Sequence, residues 1–178
     1  MMRRLLTAAA LWLACSAAQA SLAYAITAAP EARIKAAGAS KEKLSELLLR
    51  GQDDHVQLDK LWHGLEWLLG RHCGATACQI IMGGRKVGPD LGYGPAFYYT
   101  AEEVKRIARQ LAAIDPAQLA AHFDATAMDK ASIYPSDWVE RERSGTAPAR
   151  LLQDAFVRLR DFFQRSADAG HAVAYVLY

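Results

Sequence analysis

Apolar residues along this chain recur with two periods, and the changes between them mark out the elements. From Leu58 to Gly70 the steps are three and four, so Leu58, Leu61, Leu65, Leu68 and Leu69 share one face of a helix. The same spacing places Asp59, Trp62, His63 and Glu66 on a second face. This central helix is the element the others are expected to pack around. Before it, Ser21 to Thr27 alternates and predicts a strand. Pro30 and Glu31 suit the first turn of a helix, with Ala32, Ile34 and Ala36 following and Gly38 ending it. Ser40 can cap a second short helix holding Leu44, Leu47 and Leu48, and Gly51 to His55 is a polar break.

Beyond the central helix, Ala77 to Met82 is a short apolar run that predicts a buried strand. Gly83 to Pro95 holds five glycines and two prolines, a composition that argues against regular structure and predicts a loop. Ala96 to Tyr99 is short, aromatic and extended. Thr100 and Glu103 form a capping box opening a helix with Val104, Ile107, Ala108 and Leu111 inward. Asp115 and Pro116 start another, with Leu119, Ala120 and Phe123, and Ala125 to Ala131 adds a further turn. Ser132 to Trp138 is an aromatic turn, and Glu140 to Ala149 a charged, exposed loop. A long amphipathic helix then runs from Ala149 to about Ala169, carrying Leu152, Phe156, Leu159, Phe163 and Ala167 on one face, with Gly170 at its end. His171 to Tyr178 alternates and predicts a last strand able to pair with the first. The expected class is α+β: a small, mostly antiparallel sheet packed with five to seven helices.

Composition changes this picture at the N-terminus. Arg3 and Arg4 precede an apolar run from Leu5 to Ala18, and Ala18-Gln19-Ala20 has the small-x-small form of an export cleavage site. Residues 1–20 are therefore expected to be a signal peptide, too short in its apolar part to span a bilayer, and 21–178 one mature domain in the periplasm or outside the cell. Cys15 follows the small residue Ala14 and offers a competing lipid-anchor reading, which Trp12 and Leu13 argue against. The chain of 178 residues is 52% hydrophobic, enough for one core. It carries 21 basic and 19 acidic side chains, and losing Arg3 and Arg4 leaves 19 of each. A neutral domain without a basic run has no electrostatic case for nucleic acid or an anionic membrane.

Cys73 and Cys78 survive cleavage, with four residues between them. In an oxidising compartment such a pair favours a disulfide over two free thiols. A metal site using His72, Cys73 and Cys78, with His63 as a further candidate, is the third alternative, but the zinc spacing is absent, so neither metal nor cofactor is called for. Asp59, His63 and Glu66 are the candidate catalytic set: an acid orienting an imidazole, with a second carboxylate in reach. No nucleophile sits in a Gly-x-Ser-x-Gly elbow. An ordinary Asp–His pair on a structural helix accounts for the same residues. Trp62, Tyr93, Tyr98, Tyr134 and Trp138 are the candidate lining of a binding pocket beside that helix.

Four segments together carry a resemblance: Leu58 to Leu65, Gly83-Gly84-Arg85 leading to Leu91 through Ala96, Thr100 to Val104, and Ile133-Tyr134-Pro135 with Trp138. In order and content they resemble the YfbM-like family, also called domain of unknown function 1877, over essentially all of residues 21–178. The resemblance implies a small α+β domain and no agreed activity. Phe97 stands where an arginine commonly follows Gly-Pro-Ala, Glu66 where a histidine is common, and relatives usually lack a leader. Two functions follow as expectations. One is a non-catalytic binding module of the cell envelope holding a protein partner, of which toxin neutralisation is one form. The other is a small periplasmic hydrolase using Asp59, His63 and Glu66.

Overall fold

A five-stranded antiparallel sheet runs through the centre of the chain in the order β2-β1-β5-β4-β3. The structure is a computed structural model describing residues 22–74 and 78–178; the expected signal peptide, the cleavage point before Ser21, Cys15 and Ala77 lie outside the described residues. The strands are β1 (Tyr24–Ala29), β2 (His55–Gln57), β3 (Arg85–Asp90), β4 (Pro95–Tyr99) and β5 (Ala172–Leu177). As the alternation suggested, the first and last strands pair, from Tyr24 opposite Leu177 to Ala29 opposite Ala172. Every residue of β1 is buried. The alternation there is between large and small residues, because both sheet faces are covered. Tyr24, Ile26, Val173 and Tyr175 join the larger core, while Ala25, Ala29, Ala172 and Ala174 join a smaller one.

Helices α1 (Glu31–Ala37) and α2 (Lys41–Ser45), with a π-helical turn at Glu46–Arg50, cover the alanine face through Ile34, Leu44, Leu47 and Leu48. On the tyrosine face lie α3 (Trp62–Cys73), α4 (Ala101–Ala112), α5 (Pro116–Ala120), α6 (Ala125–Lys130), α7 (Trp138–Arg143) and α8 (Pro148–Asp168). Helix α8 is its spine, burying Leu152, Phe156, Leu159, Phe162 and Phe163. The class is α+β as expected, with eight α-helical segments among the described residues where five to seven were anticipated. Local signals set the helix starts. Thr100 and Glu103 form both arms of the capping box, the Asp115 carboxylate accepts from the Ala117 amide, and Pro116 opens α5.

Between α3 and α8 three segments depart from expectation. Cys78 to Met82 is an irregular segment rather than a strand, although Ile80 and Ile81 are buried. Its carbonyls, and that of Gly83 just after it, are held by tyrosines of the sheet: the Tyr24 hydroxyl donates to Ile81 at 2.8 Å, Tyr99 to Ile80 at 2.9 Å and Tyr175 to Gly83 at 2.7 Å. Side-chain hydroxyls thus replace the ladder a strand would need. Within the glycine-rich stretch, Arg85–Asp90 is a strand. It tolerates Pro89 because it is an edge strand whose pairing with β4 is irregular between Val87 and Asp90, where Gly88 has φ 71°. Finally, the expected loop after Glu140 begins as α7, whose first amides, Trp138 and Val139, donate to the Asp129 carboxylate at 2.8 and 3.0 Å. That cap comes from a residue outside the helix.

Candidate functional site

Helix α3 has one structural face and one open face. Leu65, Leu68 and Leu69 are buried, and Gly64 lies against the ring of Trp138. On the other side, His63, Glu66, Trp67 and Gly70 are spaced i, i+3, i+4 and i+7 and form a line. With Arg71, Cys78 and Ile133 they line an open pocket of about 320 Å³. The far wall is fixed covalently, because a disulfide joins Cys73 at the end of α3 to Cys78.

His63 Nδ1 lies 3.0 Å from the Tyr134 amide nitrogen. A backbone N–H can only donate, so Nδ1 accepts and the ring proton of the neutral imidazole sits on Nε2. Partial burial lowers the pKa of this imidazole, which favours the same neutral form. Trp62 stacks on the His63 ring with centroids 4.9 Å apart and planes 10° apart, and on Tyr134 at 6.1 Å. The polar ends of both aromatics hold Leu22: Trp62 Nε1 donates to its carbonyl at 3.1 Å, and the Tyr134 hydroxyl accepts from its amide at 3.0 Å.

Glu66 Oε2 accepts from the Ile81 amide at 3.1 Å. Burial pushes this carboxyl up from its ordinary value, against the smaller opposing effect of that bond. Tyr24, Tyr99 and Tyr175 stand near it, and burial first, then the surrounding acidic groups, raises their hydroxyls too. Among the described residues no lysine, arginine or histidine forms an ion pair with Glu66. The Arg71 guanidinium instead lies 4.5 Å from the Trp67 ring centroid. Trp67 Nε1 is buried without a hydrogen-bond partner among the described residues.

Residues 22–176 match the family model described as Domain of unknown function (DUF1877). The chain belongs to the DUF1877 family. The crystal structure of a protein of unknown function, YfbM from Escherichia coli, is similar to it with a TM-score of 0.67. That likeness covers 88% of this chain and 99% of YfbM at 18% identity, and it shows the shared fold. No curated protein matches the chain.

In this DUF1877 domain the expected Asp59–His63 pair is not formed. Asp59 is exposed, has φ 46° and belongs to a separate 3₁₀ turn (Asp59–Leu61) before α3 begins. That backbone takes it off the helical face it shares with His63 in an unbroken helix, and His63 Nδ1 is occupied by Tyr134. The five candidate binding aromatics do not converge either. Trp62 and Tyr134 flank His63, but Trp138 is fully buried against Gly64 and donates through Nε1 to the Ile133 carbonyl. Tyr93 is 55% exposed in the β3–β4 connection, and Tyr98 lies in the smaller core on the other sheet face. What α3 does bring together is His63 and Glu66, joined by Trp67, Gly70, Arg71 and Ile133, which were not singled out from the sequence. Continuing the i, i+4, i+7 line from His63 reaches Trp67 and Gly70, so that signal was present; Ile133 comes from a distant turn and had none.

No group of three or more His, Cys, Asp or Glu side chains among the described residues is placed to hold a metal ion. A wider groove of about 800 Å³ lies by α1 and the π-helical turn. Its rim is Arg33, Glu42, Lys43, Glu46 and Arg50, surface charges of both signs without an aromatic wall. The α3 pocket, with its aromatic and half-buried acidic walls, is the better-formed site. Among the described residues no helix is long and apolar enough to cross a membrane.

Proposed function

We propose that this chain is an exported, non-catalytic binding module that admits a group of its ligand or protein partner into the α3 pocket. The observation that carries the reading is Gly70. Glycine inside a helix costs about 1 kcal/mol relative to alanine. At Gly64 that cost has a packing reason, since a Cβ there meets Trp138 Cη2 at 2.7 Å. At Gly70 a Cβ meets nothing within 4 Å among the described residues, and the position lies on the pocket wall. A position without a side chain leaves that part of the pocket wall bare, and among the described residues it has no packing role.

Hydrolysis is the weaker alternative. His63 lacks an orienting acid, because its Nδ1 accepts from a backbone amide and Asp59 stands apart. Export is supported by the composition of residues 1–20 and by the Cys73–Cys78 disulfide, a bond suited to an oxidising compartment. The test compares the wild-type chain with Gly70→Leu, each purified gently from its own cells with intact-mass analysis of what is recovered. Leucine favours helix and extends into the cavity. A stoichiometric companion present with the wild type and lost with Gly70→Leu is the expected result. Identical recovery from both proteins would overturn the pocket's role. The mass of the chain reports separately on cleavage before Ser21 and on the disulfide.

A further inference from the structure

Resting on that reading of the pocket, we propose that the group it admits is an organic cation: an ammonium or amidinium head set against the Glu66 carboxylate, with an apolar stem along Trp67 and Ile133. Among the described residues Glu66 is the one acid in the pocket wall, and only its Oε2 is tied, to the Ile81 amide. Neither nearby base neutralises it. Arg71 spends its guanidinium on the face of Trp67, and His63 is held neutral by the Tyr134 amide. The remaining wall, Trp67, Gly70, Cys78 and Ile133, is mainly apolar. A half-buried carboxylate in such surroundings without a counter-charge among the described residues is unfavourable for folding, and a ligand cation supplies that charge. The raised Glu66 pKa agrees with this geometry, since burial is its leading cause and no positive side chain opposes it. The cavity, about 320 Å³, stands at the small end of ligand pockets and suits a head with a stem of a few carbons. A free amine and a partner's lysine side chain present the same chemistry.

The probe is n-pentylamine, with n-pentanol as its uncharged counterpart, titrated into the full chain by calorimetry at neutral pH. Chemical-shift changes at the Ile81 amide and the Trp67 indole locate the binding. The amine is expected to bind at least about tenfold more tightly than the alcohol, about 1.4 kcal/mol. Glu66→Gln keeps an acceptor for the Ile81 amide, so the fold persists, and it should erase the preference. Gly70→Leu should abolish binding of both probes. Equal affinity for amine and alcohol, a preference that survives Glu66→Gln, or no binding of the amine would each overturn the assignment. If these arms fail while Gly70→Leu still loses the cellular companion, only the cation is wrong. If Gly70→Leu changes neither recovery nor probe binding, the binding-pocket reading falls with it. A lysine source is indicated when pentylamine displaces a protein companion, and a free amine when intact-mass analysis recovers a small base alone.

Discussion

Glycines 64 and 70 stand in one helix, and alanine at the two positions should move stability in opposite directions. At Gly64 the added methyl meets Trp138 Cη2 at 2.7 Å, Trp138 Cζ2 at 2.8 Å and Leu152 Cδ2 at 3.0 Å. The indole cannot simply yield. It is fully buried, bonded through Nε1 to the Ile133 carbonyl at 2.8 Å, and edge-on to Phe123. Overpacking of this kind costs about 1–3 kcal/mol, and three close contacts on a pinned ring place it towards the upper end. The gain in helix propensity offsets about 1 kcal/mol, leaving Gly64→Ala destabilised by about 1–2 kcal/mol. For a domain of this size that lowers Tm by about 2–8 °C. At Gly70 the methyl meets nothing within 4 Å among the described residues, so only the propensity gain remains, and Tm should rise by about 2–4 °C. Thermal and urea unfolding of both variants, followed by circular dichroism, measure the difference. A Gly64→Ala protein as stable as wild type refutes the packing account of that glycine. A Gly70→Ala protein less stable than wild type shows that glycine serves folding at this position and not the opening of the pocket.

Three further outcomes are expected. Replacing Cys73 and Cys78 together by serine opens a very short loop and should cost about 2 kcal/mol, a Tm loss of about 4–8 °C that reductant reproduces in the wild type; an unchanged Tm means the bond adds nothing. Thr100→Ala removes the hydroxyl that caps the Glu103 amide and should destabilise by about 1 kcal/mol in urea titrations, with no effect expected at the α3 pocket. Glu66 has a folded-state pKa above its unfolded value, so the folded chain holds this proton more tightly and stability falls as pH rises through the window above the ordinary carboxylate value. Glu66→Gln should therefore have the higher Tm at neutral pH, with the gap closing towards about pH 4, where the wild-type carboxyl is protonated. A gap independent of pH would show that its cause is not the charge.

Much of the scaffold was legible because its signals are local. The capping box at Thr100 and Glu103, the Asp115-Pro116 start and the inward line of Val104, Ile107, Ala108 and Leu111 depend on residues three or four apart, and all are present. The pairing of the first and last strands was legible from their alternation. The segment from Cys78 to Gly83 is not legible as irregular, because its backbone partners are hydroxyls of Tyr24, Tyr99 and Tyr175, supplied by three strands of the sheet. Arg85–Asp90 was misjudged because glycine and proline argue against a strand in general, while an edge position with an irregular register accepts them.

At the site the division is the same. The sequence by itself determined that one helix carries His63 and Glu66 on a single face, and that Cys73 and Cys78 stand close enough to join, because helical spacing and short chain separation are local geometry. Only the tertiary structure decided what those residues are. Tyr134, 71 positions from His63, takes the imidazole's Nδ1; Ile81 takes one oxygen of Glu66; and Trp138 accounts for Gly64, while Gly70 has no packing role among the described residues. A residue's chemistry is set by the groups that solvate and neutralise it, and in this fold those groups arrive from other elements of the chain.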